Sequence, residues 1–219
     1  AVGYGATVLA GIALTAALFH TLNHALFKSV LFLAAGSVQS AVGSRDLNAL
    51  GGLARVMPMT AIAFGIGAAS ISGLPPLNGF ASEWLTFQSL IGAGGDGALS
   101  LVARSAVLIA VGGLGLTAAL AVACFVKATG MSFLALPRSP RAAEARETSR
   151  FMGGAMAALA VACIGVGIAA GPVSAVIMNV SGGLLGRTLP APASQLLPVV
   201  GIPAVYAATP LALLLLALI

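Results

Sequence analysis

Long apolar stretches, separated by short polar or Gly/Pro-rich connections, run the length of this 219-residue chain. The first covers about residues 12–42, and a polar loop holding Arg45, Asp46 and Arg55 follows it. Met57–Pro58 opens the next stretch, since proline is tolerated in a first helical turn, and it continues to about Gly73. Pro75, Pro76 and Gly79 then interrupt the helix ahead of Glu83, and Gly92, Gly94, Gly95 and Gly97 interrupt it again. The roughly 15 apolar residues between these breaks are too few to span a bilayer comfortably. The pattern predicts a discontinuous helix, its second half supplied by residues 99–111. Broken helices are tolerated at membrane depth only when buried in protein or lining a cavity, and in transporters they often mark the ion site. Spans at 114–136, 151–176 and 197–219 complete a predicted set of six, one of them broken.

Composition sharpens this to one class. The chain is 59% hydrophobic and only 7% charged, against about 25% charged in soluble domains. That excludes a soluble globule, and the runs are far too long for the strands of a β-barrel. An all-α, polytopic transmembrane bundle remains. The 28 glycines suit close approach of membrane helices. The net charge of +5 comes from loop arginines and reads as topology and headgroup contact, without a nucleic-acid partner. The loop with Arg138, Arg141, Arg146 and Arg150, set against Glu144 and Glu147, is the most basic and is expected on the cytoplasmic side. Cys124 and Cys163 lie singly in apolar runs and read as small fillers. No spacing of Cys and His suggests a metal, and no phosphate or dinucleotide loop appears, so no cofactor is expected. The chain starts at Ala1 in apolar sequence and stops inside LALLLLALI, which reads as a piece of a longer membrane subunit.

The chemistry lies in the few charges within the spans. His20, His24 and Lys28 recur every four residues in LFHTLNHALFKSVLFLAAGSV. Steps of four keep them on one helical stripe, rising roughly 6 Å per step. A charge near the bilayer centre costs several kcal/mol, so such residues face a bundle interior or a hydrated cavity. A row of groups that each take and release a proton is what a proton wire needs, and histidine titrates near 6.5 when unperturbed. Asn23 is placed to bond a histidine nitrogen or a water. Glu83 sits on the predicted half-helix, where a carboxyl must be protonated or paired and where the break admits water. Lys127 lies about ten residues inside the helix that Pro137 ends, deep enough to join the proton pathway, though its long stem also reaches toward the interface. Arg45, Asp46, Arg55 and the 138–150 charges read as solvated loop groups. Asp96 reads as a local turn residue, and Arg104 as a residue that a second half-helix carries to depth.

HTLNHALFKSVLFLAAGSV, RDLNALGGLARVMPMTA and GLPPLNGFASEW together resemble the antiporter-like subunits shared by respiratory complex I, multi-subunit sodium/proton antiporters and group 4 membrane-bound hydrogenases. SGLPPLNGFASEWLTFQSL and FVKATGMSFLALPRSP look most like the large antiporter-like subunits of hydrogenase-4 and formate hydrogenlyase complexes. The resemblance covers about residues 12–140 and fades after Phe151. It implies a family fold of inverted helix repeats, each with one broken helix and half of a proton channel. Residues 1–140 would then carry the second repeat, about four spans with one discontinuous, and 141–219 further C-terminal helices. His20, His24 and Lys28 would match the family's central relay, and Glu83 its charged broken-helix residue.

The resulting expectation is a non-catalytic, proton-translocating subunit of a hydrogenase-type or complex I-like complex. Its proton pathway would be His20, His24, Lys28, Glu83 and Lys127. It would sit in a bacterial or archaeal inner membrane beside other membrane subunits and a peripheral redox arm. The rivals are a subunit of a sodium/proton antiporter, moving sodium without a redox partner, and a scaffold that anchors a catalytic arm and conducts nothing.

Overall fold

The computed structural model describes residues 2–95, 99–186 and 188–189, and every regular element among them is helical. Helix α1 runs unbroken over Val2–Val42. Two short 3-10 turns, Leu47–Ala49 and Leu53–Arg55, lead into α2 (Pro58–Ile71) and α3 (Asn78–Gly94). After these come α4 (Leu101–Phe133), the one-turn α5 (Pro140–Ala143), α6 (Arg150–Ile168) and α7 (Ala170–Leu184). Among the described residues, three helices are long and apolar enough to cross a membrane: Val8–Val42, Leu101–Phe133 and Arg150–Ile168. The predicted last span, 197–219, Asp96 and Arg187 lie outside the described residues.

α1 is the axis of the bundle. At 1.5 Å per residue its 41 residues extend about 61 Å. Its buried stripe, Ile12, Ala16, Phe19, Asn23, Phe27, Val30, Ala34 and Val38, steps by three and four residues. α2 packs along the C-terminal half of this stripe, with Gly67 against Val30 and Leu31. α3 packs along the N-terminal half, with Asn78 on Asn23 and Leu85 in the cluster of Ile12, Ala16 and Phe19. The two short helices therefore stand end to end, antiparallel to α1, as one interrupted column. α6 and α7 repeat this arrangement: Met156 of α6 touches Ser37, and Ser181 of α7 meets Thr15 at 3.0 Å. α4 lies on the far side of the α2–α3 column and leaves much of its own surface exposed.

A broken helix is present, but its halves are α2 and α3, not the Glu83 segment and residues 99–111. α2 ends in a Schellman motif, with Leu74 N–H on Ala69 O and Gly73 N–H on Ser70 O, both at 3.1 Å. Gly73 takes the left-handed position at φ +63°, and Pro75 and Pro76 prevent the helix from resuming. Residues 99–111 and 114–136, read as two pieces, form the single helix α4. Gly112, Gly113 and Gly115 do not interrupt it. A mid-helix glycine costs about 1 kcal/mol, whereas backbone groups left unpaired in lipid cost several kcal/mol each. The 151–176 stretch is instead divided at Ala169. Pro172 has no N–H to give the carbonyl of Ile168, the last residue of α6.

Loops 43–57 and 134–149 meet at the C-terminal end of α1. Gly51 and Gly52 N–H bond Ser132 and Leu134 O at 3.2 and 2.8 Å, and Arg138 N–H bonds Leu50 O at 3.1 Å. Arg138 Nη1 also donates to Leu47 O and Met131 O, so this arginine staples two loops.

Glu147 proves to be structural as well. α2 has no local side-chain cap. The Glu147 carboxylate supplies one from 87 residues away, accepting from Met59 N–H at 2.8 Å, Thr60 N–H at 3.3 Å and Thr60 Oγ1 at 2.5 Å. Partial burial acts to raise this carboxyl, but these bonds and one from Thr148 N–H outweigh it and hold the group below its ordinary value. Its stabilisation is therefore full above the ordinary carboxylate range and fades as pH falls through the lowered value. Glu147→Ala is expected to cost about 1 kcal/mol, the usual worth of a lost cap. Melting of the purified complex checks this: the variant melts lower at pH 7, and the gap closes in acid.

Candidate functional site

The centre of the molecule is the level where α2 stops and α3 begins, beside Asn23 and Phe27 of α1. This is about midway along the 12–42 stretch. His20 and His24 lie on one side of α1 with ring centroids 6.1 Å apart, and the His24 ring is 5.3 Å from that of Phe27. His20 and Lys28 are half-buried and His24 is exposed. The stripe read from the four-residue spacing thus forms, flanking the core face rather than pointing into it.

One hydrogen bond ties this stripe to the broken helix. His20 Nδ1 is 3.1 Å from Ser82 Oγ, and Ser82 Oγ is 3.1 Å from Gly79 O and 3.4 Å from Asn78 O. With the proton on Nδ1, His20 donates to the hydroxyl, which donates onward to a carbonyl in the first turn of α3. Next to Ser82, the half-buried Glu83 turns its carboxyl back toward the break. Its Oε2 fills the place that a side chain at Gly73 would take. The carboxyl therefore lies where the last turn of α2 and the first turn of α3 face each other. Helix dipoles place partial negative charge at the first and partial positive charge at the second.

Asn23 behaves differently from expectation. It bonds neither a histidine nor an open cavity. Its Nδ2 donates to Asn78 O at 2.9 Å, and Asn78 Nδ2 donates back to Asn23 Oδ1 at 3.1 Å, both residues being fully buried. This amide pair clamps the start of α3 onto α1. Sequence reasoning passed over Ser82 and Asn78. Their signal is available: two hydrogen-bonding side chains in the first turns of an apolar half-helix, where orphan backbone groups need partners.

Lys127 is not brought to the stripe. It is exposed on α4, which packs on α2 and α3. Arg104 lies in the first turns of α4, not at depth, and its Nε donates to Gly94 O at 3.1 Å, closing the end of α3.

Comparison with known proteins fits this arrangement. Residues 2–109 match the family described as NADH:quinone oxidoreductase/Mrp antiporter, transmembrane region. This region belongs to the antiporter-like membrane subunit family. Hydrogenase-4 component B of Escherichia coli K12 is 42% identical over 174 residues, which is 80% of this chain and 26% of that protein. Formate hydrogenlyase subunit 3 of the same organism is 44% identical over 162 residues, 74% of this chain and 26% of its own. The chain thus spans about a quarter of the length of these antiporter-like relatives. A chain of the Mrp complex from Dietzia sp. DQ12-45-1b superposes with a TM-score of 0.66 at 21% identity, covering 82% of this chain and 39% of that one. That likeness shows a shared antiporter-like fold.

Proposed function

We propose that this chain carries part of the proton path of a proton-translocating membrane subunit, in a hydrogenase-type or complex I-like complex. The path runs along His20, His24 and Lys28 and passes to Glu83 at the helix break. The observation that carries this reading is the His20–Ser82 hydrogen bond, because it joins the titratable stripe of α1 to the half-helix that bears Glu83. A proton arriving at Glu83 removes a negative charge from the helix break, so the charge there follows the loading of the path. An event elsewhere in the complex that shifts the break would then move protons stepwise. Redox chemistry belongs to a peripheral arm, and other membrane subunits are the neighbours in the bilayer.

Residues 1–140 hold every member of this path, while α6 packs on α1 and on the α2–α3 break and α7 packs along α1. Orientation follows from the loops. Arg45, Arg55, Arg138, Arg141, Arg146 and Arg150 belong to the connected loops and first turn of α6 at one end, which positive-inside bias assigns to the cytoplasmic face of an inner membrane.

The test is proton movement in inverted vesicles holding the intact complex, with Lys28→Ala against the parent. We expect uptake to fall severalfold while assembly is unchanged. Unaltered proton movement would make the stripe structural and leave the chain as a scaffold. Sodium-dependent transport in place of proton uptake would favour an antiporter without a redox partner.

A further inference from the structure

Near the C-terminal end of α1, this helix and α4 stand apart, and α2 closes the space behind them. The result is a groove of about 510 Å³, within the roughly 300–1,000 Å³ of sites that hold small molecules. Small residues open it. Ala35 and Gly36 of α1 line it opposite Ala128 of α4, and a Cβ at Gly36 would meet nothing within 4 Å. Its back wall is Phe64 of α2, whose ring lies 5.2 Å from that of Phe133 and 6.4 Å from that of Phe125, both on α4. Phe32, 74% exposed, stands at the open side.

The lining changes character along the helix axis. α1 climbs about 10 Å from Phe32 to Gln39, and each residue it gives the groove before Gln39 is apolar. Gln39, Ser44 and Arg45 then bring an amide, a hydroxyl and a guanidinium to the loop end. Gln39 and Arg45 are exposed. Ser44 Oγ accepts Asp46 N–H at 3.1 Å, which leaves its own proton to donate. Asp46, the neighbouring acid, turns one carboxylate oxygen onto Asn48 N–H at 2.9 Å and caps the first 3-10 turn. Arg141 stands at the same end, its Nη1 3.2 Å from the place a Cβ at Gly43 would take. This is the level of the lipid headgroups on the side that the loop arginines mark. Arginine holds a phosphate through two parallel hydrogen bonds, and basic pockets between transmembrane helices on the cytoplasmic side take anionic headgroups.

We propose that this groove binds one anionic phospholipid, with its phosphate on Arg45, Ser44 and Gln39 and an acyl chain along Phe32, Gly36 and Phe64. Charge and the order of the lining select this occupant together. A free anion would use only the polar end. A protein helix is about 10–12 Å across with its side chains, wider than a groove of this volume and length, whereas an extended hydrocarbon chain fits. A zwitterionic lipid would bring a cation toward the arginines, so an anionic headgroup is preferred. The site lies apart from the proposed proton path and stands whether or not that path conducts.

The test uses the intact complex in nanodiscs that mix phosphatidylglycerol with phosphatidylcholine. Native mass spectrometry is expected to show phosphatidylglycerol retained in preference to phosphatidylcholine, and Arg45→Gln to retain one phosphatidylglycerol fewer. Arg150→Gln removes the same charge at the same membrane face but outside the groove, and should retain lipid like the parent. Gly36→Leu, which fills the apolar half, should lose the same lipid with Arg45 in place. A cryo-electron microscopy map of the parent should show a chain-like density in the groove that ends at Arg45. Equal retention by Arg45→Gln and the parent would overturn the proposal, and so would an equal loss in Arg150→Gln or equal retention of the two lipids. A helix seated in the groove, from this subunit or a neighbour, would overturn it as well.

Discussion

Glu83→Gln is expected to lower proton movement by the intact complex at least about tenfold, since a positioned acid–base group contributes on the order of 10²–10⁴ to a proton transfer. The substitution keeps volume and hydrogen-bonding capacity and removes only the exchangeable charge. Glutamine still fits against Gly73, which leaves space where a larger residue would place its Cβ. Assembly should therefore survive, and vesicle assays can be normalised to assembled complex. Two further variants at the same spot separate chemistry from shape. Glu83→Asp keeps the charge but shortens the side chain, withdrawing the carboxyl from the break, and should fall between parent and glutamine. Gly73→Ala keeps the carboxylate but contests its position at a residue with φ +63°, where a Cβ costs roughly 1–2 kcal/mol of backbone strain by itself. Parent-like transport in Glu83→Gln would remove Glu83 from the path, whatever the other two show.

The sequence made the local facts legible and left the pairings hidden. The four-residue spacing of His20, His24 and Lys28 demanded one helical stripe, because no proline interrupts it and 3.6 residues per turn permit nothing else. The clustering of Gly73, Pro75 and Pro76 likewise demanded a stop. Which half-helix continues which is a different question, decided by packing on α1. Glycines were the weak signal. They look alike at 92–97 and at 112–115, yet α4 runs straight through the second group, because a helix in lipid has strong reason to keep its backbone bonds. Pro172 was the stronger signal for a break and was overlooked. Glu147 illustrates a further limit, since a cap delivered across 87 residues leaves no trace in local pattern. Ser82 and Asn78 passed as small polar residues because nothing in the spacing shows that they face His20 and Asn23.

Gly79→Ala should be the most damaging single methyl in this region, and it should act through assembly. Gly79 lies in the first turn of α3, with its Cα directly over the Ser70 carbonyl that ends α2. The position a Cβ would occupy is already held by that oxygen. Neither side can yield cheaply. Ser70 O accepts Gly73 N–H in the motif that terminates α2, and α3 is clamped on α1 through Asn78. Overpacking normally costs about 1–3 kcal/mol, and more where backbone rather than a side chain must move. An expected cost of about 3 kcal/mol or more would exceed what most single substitutions do. Gly167→Ala attacks the same junction from α6, where the Cβ would meet Pro76 O and the backbone at Leu77 and Asn78. Both variants should sharply reduce the yield of assembled complex. Gly65→Ala and Gly153→Ala, where a Cβ meets nothing within 4 Å, should assemble normally. Normal assembly of Gly79→Ala would mean that α2 and α3 do not abut as described. The end-to-end column, and with it the placement of Glu83 between two helix ends, would then have to be abandoned.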